Sequence, residues 1–270
     1  MWVLFMKVLR FIICFLATIT LSITMIAAGF FAVSSFPRLT GAVSYVTCDV
    51  ANSPFSRAQL SSAAAETHEY AFGMHSKNSL YDALAKINDD ASTPYAKTTR
   101  TRLAAAPDAY VLDERAFTHL DDCYKIATTA REVLAIIACV AVVFLLLTGL
   151  VAKQRNLGRV LIISGCIVIV SFIALAVFAF VDFDRLFALF HSFLFKEGTW
   201  TFSENSLLIC MLPESFWVAI AGIWALVSAL ISIIFILIGS KCVRRARVRA
   251  REIQAEAQQS VYYSPYDSIG

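Results

Sequence analysis

Four histidines, His68, His75, His119 and His191, are the side chains in this 270-residue sequence suited to moving a proton near neutral pH. His68 and His75 stand among polar neighbours and are expected to be solvated. His119 lies in DERAFTHLDDCYKIATTAREV (113–133), with Asp122 three residues further on. His191 lies in DFDRLFALFHSFLF (182–195), inside a run rich in large rings. Phe190, Phe195, Trp200, Phe202 and Trp217 all fall within 27 residues of His191. A pair of imidazoles near one another allows one to take a proton while the other donates one. An aromatic surround would keep water out and strengthen their polar interactions. A second reading stays open at this point, because aromatic and amphipathic side chains collect at membrane interfaces without doing any chemistry.

The interface matters because the composition is that of a membrane protein. Hydrophobic residues make up 59% of the chain and charged residues 16%, far from the balance of a soluble domain. Four segments are long enough to cross about 30 Å of hydrocarbon. They are expected at 11–34, 132–152, 160–181 and 214–239. Their cores, Phe11–Ser34, Val133–Val151, Val160–Val181 and Phe216–Ile238, carry no Asp, Glu, Lys or Arg. The first has a small-residue stretch, AVSS at 32–35, of the kind signal peptidases cleave, but its apolar run exceeds a signal core, so an uncleaved anchor is expected. The absence of charge inside the spans argues against a pump or ion-coupled transporter, whose pathway needs ionisable groups at that depth.

Positive charge sets the orientation. Lys7 and Arg10 precede the first span, the 153–159 loop holds three Lys/Arg, and KCVRRARVRAR (241–251) holds six. Residues 35–132 balance ten Lys/Arg against twelve Asp/Glu. The N-terminus (1–10), the 153–159 loop and the basic tail (240–270) are therefore expected in the cytoplasm. The 35–131 segment and the 182–213 segment then share the outer side, with all four histidines. The fold class follows: an all-α integral membrane protein, four transmembrane helices with a largely helical extracytoplasmic cap between spans one and two.

Within the cap, Ser56 is placed to cap a helix over 56–73 with Leu60, Ala64, Tyr70 and Phe72 on its apolar positions. SLYDALAKI (79–87) repeats the pattern, 89–107 reads as a loop, and a third helix over 113–133 can continue into span two. Of the seven cysteines, Cys48 and Cys123 sit at opposite ends of the cap on the oxidising side, where a disulfide is possible, and Cys210 is a third outer candidate. The tail from Gln258 is expected to lack structure. No His-Glu-x-x-His, Cys-x-x-Cys, P-loop or Gly-x-Ser-x-Gly motif is present, so the enzyme classes built on them gain no support.

Two stretches carry a resemblance. Phe190-His191, Trp200-x-Phe202, Leu208-Ile209 and Pro213-x-x-Phe216-Trp217, together with His119-Leu120-Asp121-Asp122-Cys123, resemble a family of bacterial four-span membrane proteins that includes the lipoprotein intramolecular transacylases. Cys123 stands where that family is expected to carry an aliphatic residue. The resemblance implies an acyltransferase that moves a chain from the sn-2 glyceryl oxygen to the N-terminal cysteine amine of a diacylglyceryl lipoprotein, giving the lyso form. It implies His119 and His191 as the catalytic pair, one deprotonating the attacking ammonium and the other protonating the leaving alkoxide. Phe190, Phe195, Trp200, Phe202 and Trp217 would hold substrate, and Asp122 would orient His119 or form a surface pair. No metal or cofactor is implied; the expected partners are the lipoprotein substrate and membrane lipids of the bacterial cell membrane, with no nucleic acid. The competing expectation is a non-enzymatic envelope protein that binds a lipid or protein through its cap.

Overall fold

The computed structural model describes residues 1–152 and 154–263. The chain is an all-α integral membrane protein. Its helices are α1 (Trp2–Ser34), α2 (Pro37–Thr47), α3 (Arg57–Phe72), α4 (Lys77–Asp90), α5 (Arg100–Ala104), α6 (Glu114–Val151), α7 (Gln154–Val181), α8 (Phe183–Leu194), α9 (Leu207–Met211) and α10 (Glu214–Tyr263). Among the described residues, four are long and apolar enough to span a membrane: α1, α6, α7 and α10. The chain divides into two compact units, and these four helices contribute to both.

The first unit gathers 1–27, 134–171 and 228–270. A lipid-soluble helix gains little by hiding leucine from lipid, so small residues and hydroxyls make its contacts. Ser164 Oγ donates to the Thr18 carbonyl at 3.1 Å, and Ser22 Oγ to the Ser164 carbonyl at 3.4 Å. Gly158 and Gly239 meet backbone to backbone. A Cβ on Gly158 would sit 2.7 Å from the Gly239 carbonyl oxygen, and one on Gly239 would sit 2.6 Å from that of Gly158. Neither obstacle is a side chain that swings away. Gly158→Leu is therefore expected to destabilise by about 1–3 kcal/mol, the usual penalty for overpacking. Thermal unfolding in detergent checks this: Gly149→Leu, where a Cβ meets only a leucine methyl at 3.9 Å, should leave the midpoint nearly unchanged.

The second unit, 28–133 with 172–227, contains the cap and the aromatic segment. Ser56 and Gln59 form the expected capping box at the start of α3. Leu60, Ala64 and Tyr70 of α3, Leu80, Leu84 and Ile87 of α4, and Phe117 and Leu120 of α6 are buried in one core. The core also takes in Leu207, Cys210 and Met211 of α9, and Phe216 at the start of α10. Hydrogen bonds reinforce that join: Asp49 N–H donates to the Cys210 carbonyl at 2.8 Å, and Ser44 Oγ to the Met211 carbonyl at 2.8 Å. Helix α2, begun by Pro37, and the short α9 were not foreseen from the sequence. The expected loop over 89–107 contains α5, whose N-cap Thr99 accepts from Arg102 N–H. Buried Asn88 fixes the loop's path, donating to the Leu84 and Tyr110 carbonyls and accepting from Thr93.

Several expectations are corrected. His68 is not a solvated surface residue: Thr40 donates to its Nδ1 at 2.7 Å, and its Nε2 donates to the Ser34 carbonyl at 3.0 Å, tying α3 to α2 and to the end of α1. Burial depresses its pKa. His75 is stacked between the Tyr70 and Tyr124 rings (4.3 and 3.9 Å) and lies 3.5 Å from Asp121. Cys48 and Cys123 are not bridged; both thiols are free, the first near the Tyr45 carbonyl and the second against His119. The tail expected to be unstructured from Gln258 is helical to Tyr263, and 264–270 lie outside the described residues.

Candidate active site

Helix α6 begins in the cap core and carries His119 two residues after Phe117, a side chain 1% exposed. Phe117 is packed against the Tyr70 and Tyr81 rings, with Lys77 Nζ 4.4 Å above it. These contacts fix the start of α6 and hence the direction of His119. His191 comes from α8, whose N-terminus is capped by Asp182 accepting from Arg185 N–H. The helix is amphipathic in an unusual sense: Phe190 and Phe193 are exposed, while His191 is only 7% exposed.

The two imidazoles face one another with ring centroids 6.1 Å apart and planes inclined by 27°. Phe195, at the end of α8, lies 4.6 Å from His119 and 5.5 Å from His191. Phe202 is 5.7 Å from His119, and Arg115 holds its loop by donating to the Thr201 carbonyl at 3.5 Å. Trp200 lies 4.9 Å from His191. Phe190 meets His191 edge-on at 5.4 Å but is itself 57% exposed. Trp217, at the start of α10, contacts Phe187 at 6.1 Å, and its indole N–H donates to the Leu212 carbonyl at 3.0 Å. Asp122 pairs with Lys125 at 3.2 Å and acts on His119 through its charge.

Phe187 was missed. Its ring lies 4.0 Å from His191, and its carbonyl accepts from His191 Nδ1 at 2.8 Å. The i−4 spacing on an amphipathic helix was the available signal. A carbonyl oxygen only accepts, so neutral His191 carries its proton on Nδ1 and presents a bare Nε2. His119 is contacted at Nε2 by the Cys123 thiol, 3.6 Å away.

Both histidines are driven toward the neutral form. Burial depresses the pKa of His119 to about 4, helped by His191 and opposed by Asp122. Burial also lowers that of His191, opposed by the Phe187 carbonyl. The Cys123 thiol is pushed up to about 12, again mainly by burial, and stays protonated. The unfolded chain binds protons at these positions below about pH 6.5, where the folded chain resists them. Stability contributed here is therefore complete above about pH 6.5 and lost as pH falls toward 4. The thermal midpoint should drop over that window, and His119→Phe should make the drop shallower; an unchanged slope would contradict the neutral assignment.

Among the described residues no group of three His, Cys, Asp or Glu side chains is placed to hold a metal ion. The sequence model of the family described as lipoprotein intramolecular transacylase Lit matches residues 8–217. The chain belongs to this family. Membership covers the spans up to α10, the cap and both histidine segments, and it is a family of enzymes. Solved structures agree on the fold. The in meso structure of the membrane-integral Lit from Bacillus cereus superposes with a TM-score of 0.62 at 18% identity, over 90% of this chain and 99% of that one. A variant of the same protein with one histidine replaced by alanine gives 0.52 at 19% identity, over 92% and 100%. The arginine variant gives 0.51 at 18%, over 92% and 97%. No curated protein sequence matches the chain.

Proposed function

We propose that this Lit-family protein moves an acyl chain within one diacylglyceryl lipoprotein, from the sn-2 glyceryl oxygen to the α-amine of the N-terminal cysteine, leaving the lyso form. The observation that carries this reading is the His119–His191 pair, 6.1 Å apart inside a cluster of aromatic rings. A protein that only bound a partner through its cap would have no need to bring two neutral histidines together.

Neutral His191 with a bare Nε2 is the general base. The amine nitrogen forms a bond to the ester carbonyl carbon, its proton passes to His191 Nε2, and the carbonyl electron pair moves onto oxygen. When the tetrahedral centre collapses, the bond to the glyceryl oxygen breaks and the imidazolium returns its proton there. His119, with its pKa near 4, is almost never imidazolium at pH 7, so it serves better as a neutral hydrogen-bond partner than as a second proton source. Holding nucleophile and ester in one molecule supplies proximity, and the surrounding rings exclude the water that would hydrolyse the ester.

The distribution of Lys and Arg supports both termini lying in the cytoplasm of a bacterial cell, with the cap and the histidines at the outer face of its membrane. There the rings of the site would meet the acyl chains of an anchored lipoprotein. Mass spectrometry of lipoprotein N-termini, from a bacterial host lacking N-acylating activity, tests the function. Expression of this protein should convert free-amine diacylglyceryl termini to N-acyl lyso termini, and unchanged termini would reject the reading.

A further inference from the structure

Buried polar atoms without a hydrogen-bond partner are rare, because each forfeits its solvation for nothing. Among the described residues four side-chain atoms are in this state, and two of them are His119 Nδ1 and Trp200 Nε1. Both belong to rings around His191, at 6.1 and 4.9 Å between centroids. Trp217, at the start of α10, differs: its indole N–H already donates to the Leu212 carbonyl. An indole nitrogen only donates. The atom that Trp200 awaits is therefore an acceptor, and none of the described residues supplies it.

The state of His119 Nδ1 depends on the other ring nitrogen. A protonated Cys123 thiol beside Nε2 offers an S–H to a ring nitrogen with a free lone pair. That arrangement leaves the proton of neutral His119 on Nδ1, and it makes this second orphan a donor too. Two unpartnered N–H groups beside a base are what an acyl-transfer site needs where negative charge develops on the former carbonyl oxygen.

We propose that Trp200 Nε1–H and His119 Nδ1–H form the oxyanion-binding pair of this site, receiving the sn-2 carbonyl oxygen as His191 deprotonates the amine. The assignment rests on the transacylase reading and makes Trp200 a catalytic residue instead of a wall. In the tetrahedral intermediate the new N–C bond has formed, the carbonyl electron pair sits on oxygen, and the two N–H groups share that charge without transferring a proton. On collapse the C=O double bond returns and the donors are released.

The test replaces the indole N–H and little else. Full-length protein carrying 3-benzothienylalanine at position 200, which has sulfur in place of N–H, is compared with Trp200→Phe and the unsubstituted protein. The substrate is a synthetic diacylglyceryl-cysteine lipopeptide with a free amine. The pair predicts that kcat falls about 10²–10³-fold in both variants, with KM within about twofold. Full kcat in the benzothienyl protein, or a loss confined to KM, overturns the oxyanion role while leaving the transacylase reading intact. No N-acyl product from the unsubstituted protein would overturn the reading itself and the assignment with it. Because the benzothienyl ring keeps the shape of indole, a folding defect in Trp200→Phe does not blur the outcome.

Discussion

Replacing His191 with alanine is expected to lower the rate of acyl transfer about 10²–10⁴-fold, the range of a positioned general base. The residue is 7% exposed, its Nδ1–H is held by the Phe187 carbonyl at 2.8 Å, and its Nε2 is the free lone pair of the pair. Substrate affinity should change little, because the phenyl and indole rings around it remain. His191→Gln is an informative companion: it keeps a polar side chain of similar size but supplies no base, and should be as impaired as alanine. His119→Ala should also be inactive or nearly so. The double variant should be no worse than the weaker single one, since residues that act as a unit lose their effect together. Full activity in His191→Ala, with wild-type melting behaviour, would remove the base from the mechanism.

The second large effect lies outside the chemistry. Phe117→Ala is expected to cost about 3–5 kcal/mol of stability, as for a fully buried ring truncated in a packed core. Phe117 is 1% exposed, stacked on Tyr81, edge-on to Tyr70, and covered by Lys77. Because it precedes His119 by two residues on α6, loosening it should also blur the direction of that imidazole. Phe117→Leu should recover most of the stability and a good share of the activity. Thermal unfolding in detergent checks the first part; a drop in midpoint no larger than that of a surface substitution would contradict the core placement.

Much of this fold was legible because membrane helices and capped helices announce themselves locally. Charge-free apolar runs marked α1, α6, α7 and α10, and the Ser56–Gln59 pair marked the start of α3. The aromatic residues after His191 and the His119 motif drew attention to the segments that meet in the structure. What stayed hidden depends on contacts distant in sequence. Polar neighbours made His68 and His75 look solvated, yet Ser34, Thr40, Tyr124 and Asp121 supply their burial from other elements. A Cys48–Cys123 bridge stayed possible because both lie in the one segment between the first two spans, while the fold sends one to the Tyr45 carbonyl and the other to His119. Phe187 escaped because its part is played by a ring face and a backbone carbonyl, which residue type alone does not signal. The unpartnered state of Trp200 Nε1 cannot be read from any sequence pattern at all.

Acyl transfer within a single lipoprotein is distinguished from transfer between two with purified protein and two synthetic diacylglyceryl lipopeptides. One carries a deuterated sn-2 chain on a heavy-isotope peptide, the other unlabelled groups throughout. Tandem mass spectrometry after incubation locates each chain. Intramolecular transfer gives unchanged parent masses, with every migrated chain on the amine of the peptide it started on. Chains crossing between the two peptides, or release of free fatty acid in place of an N-acyl product, would contradict it.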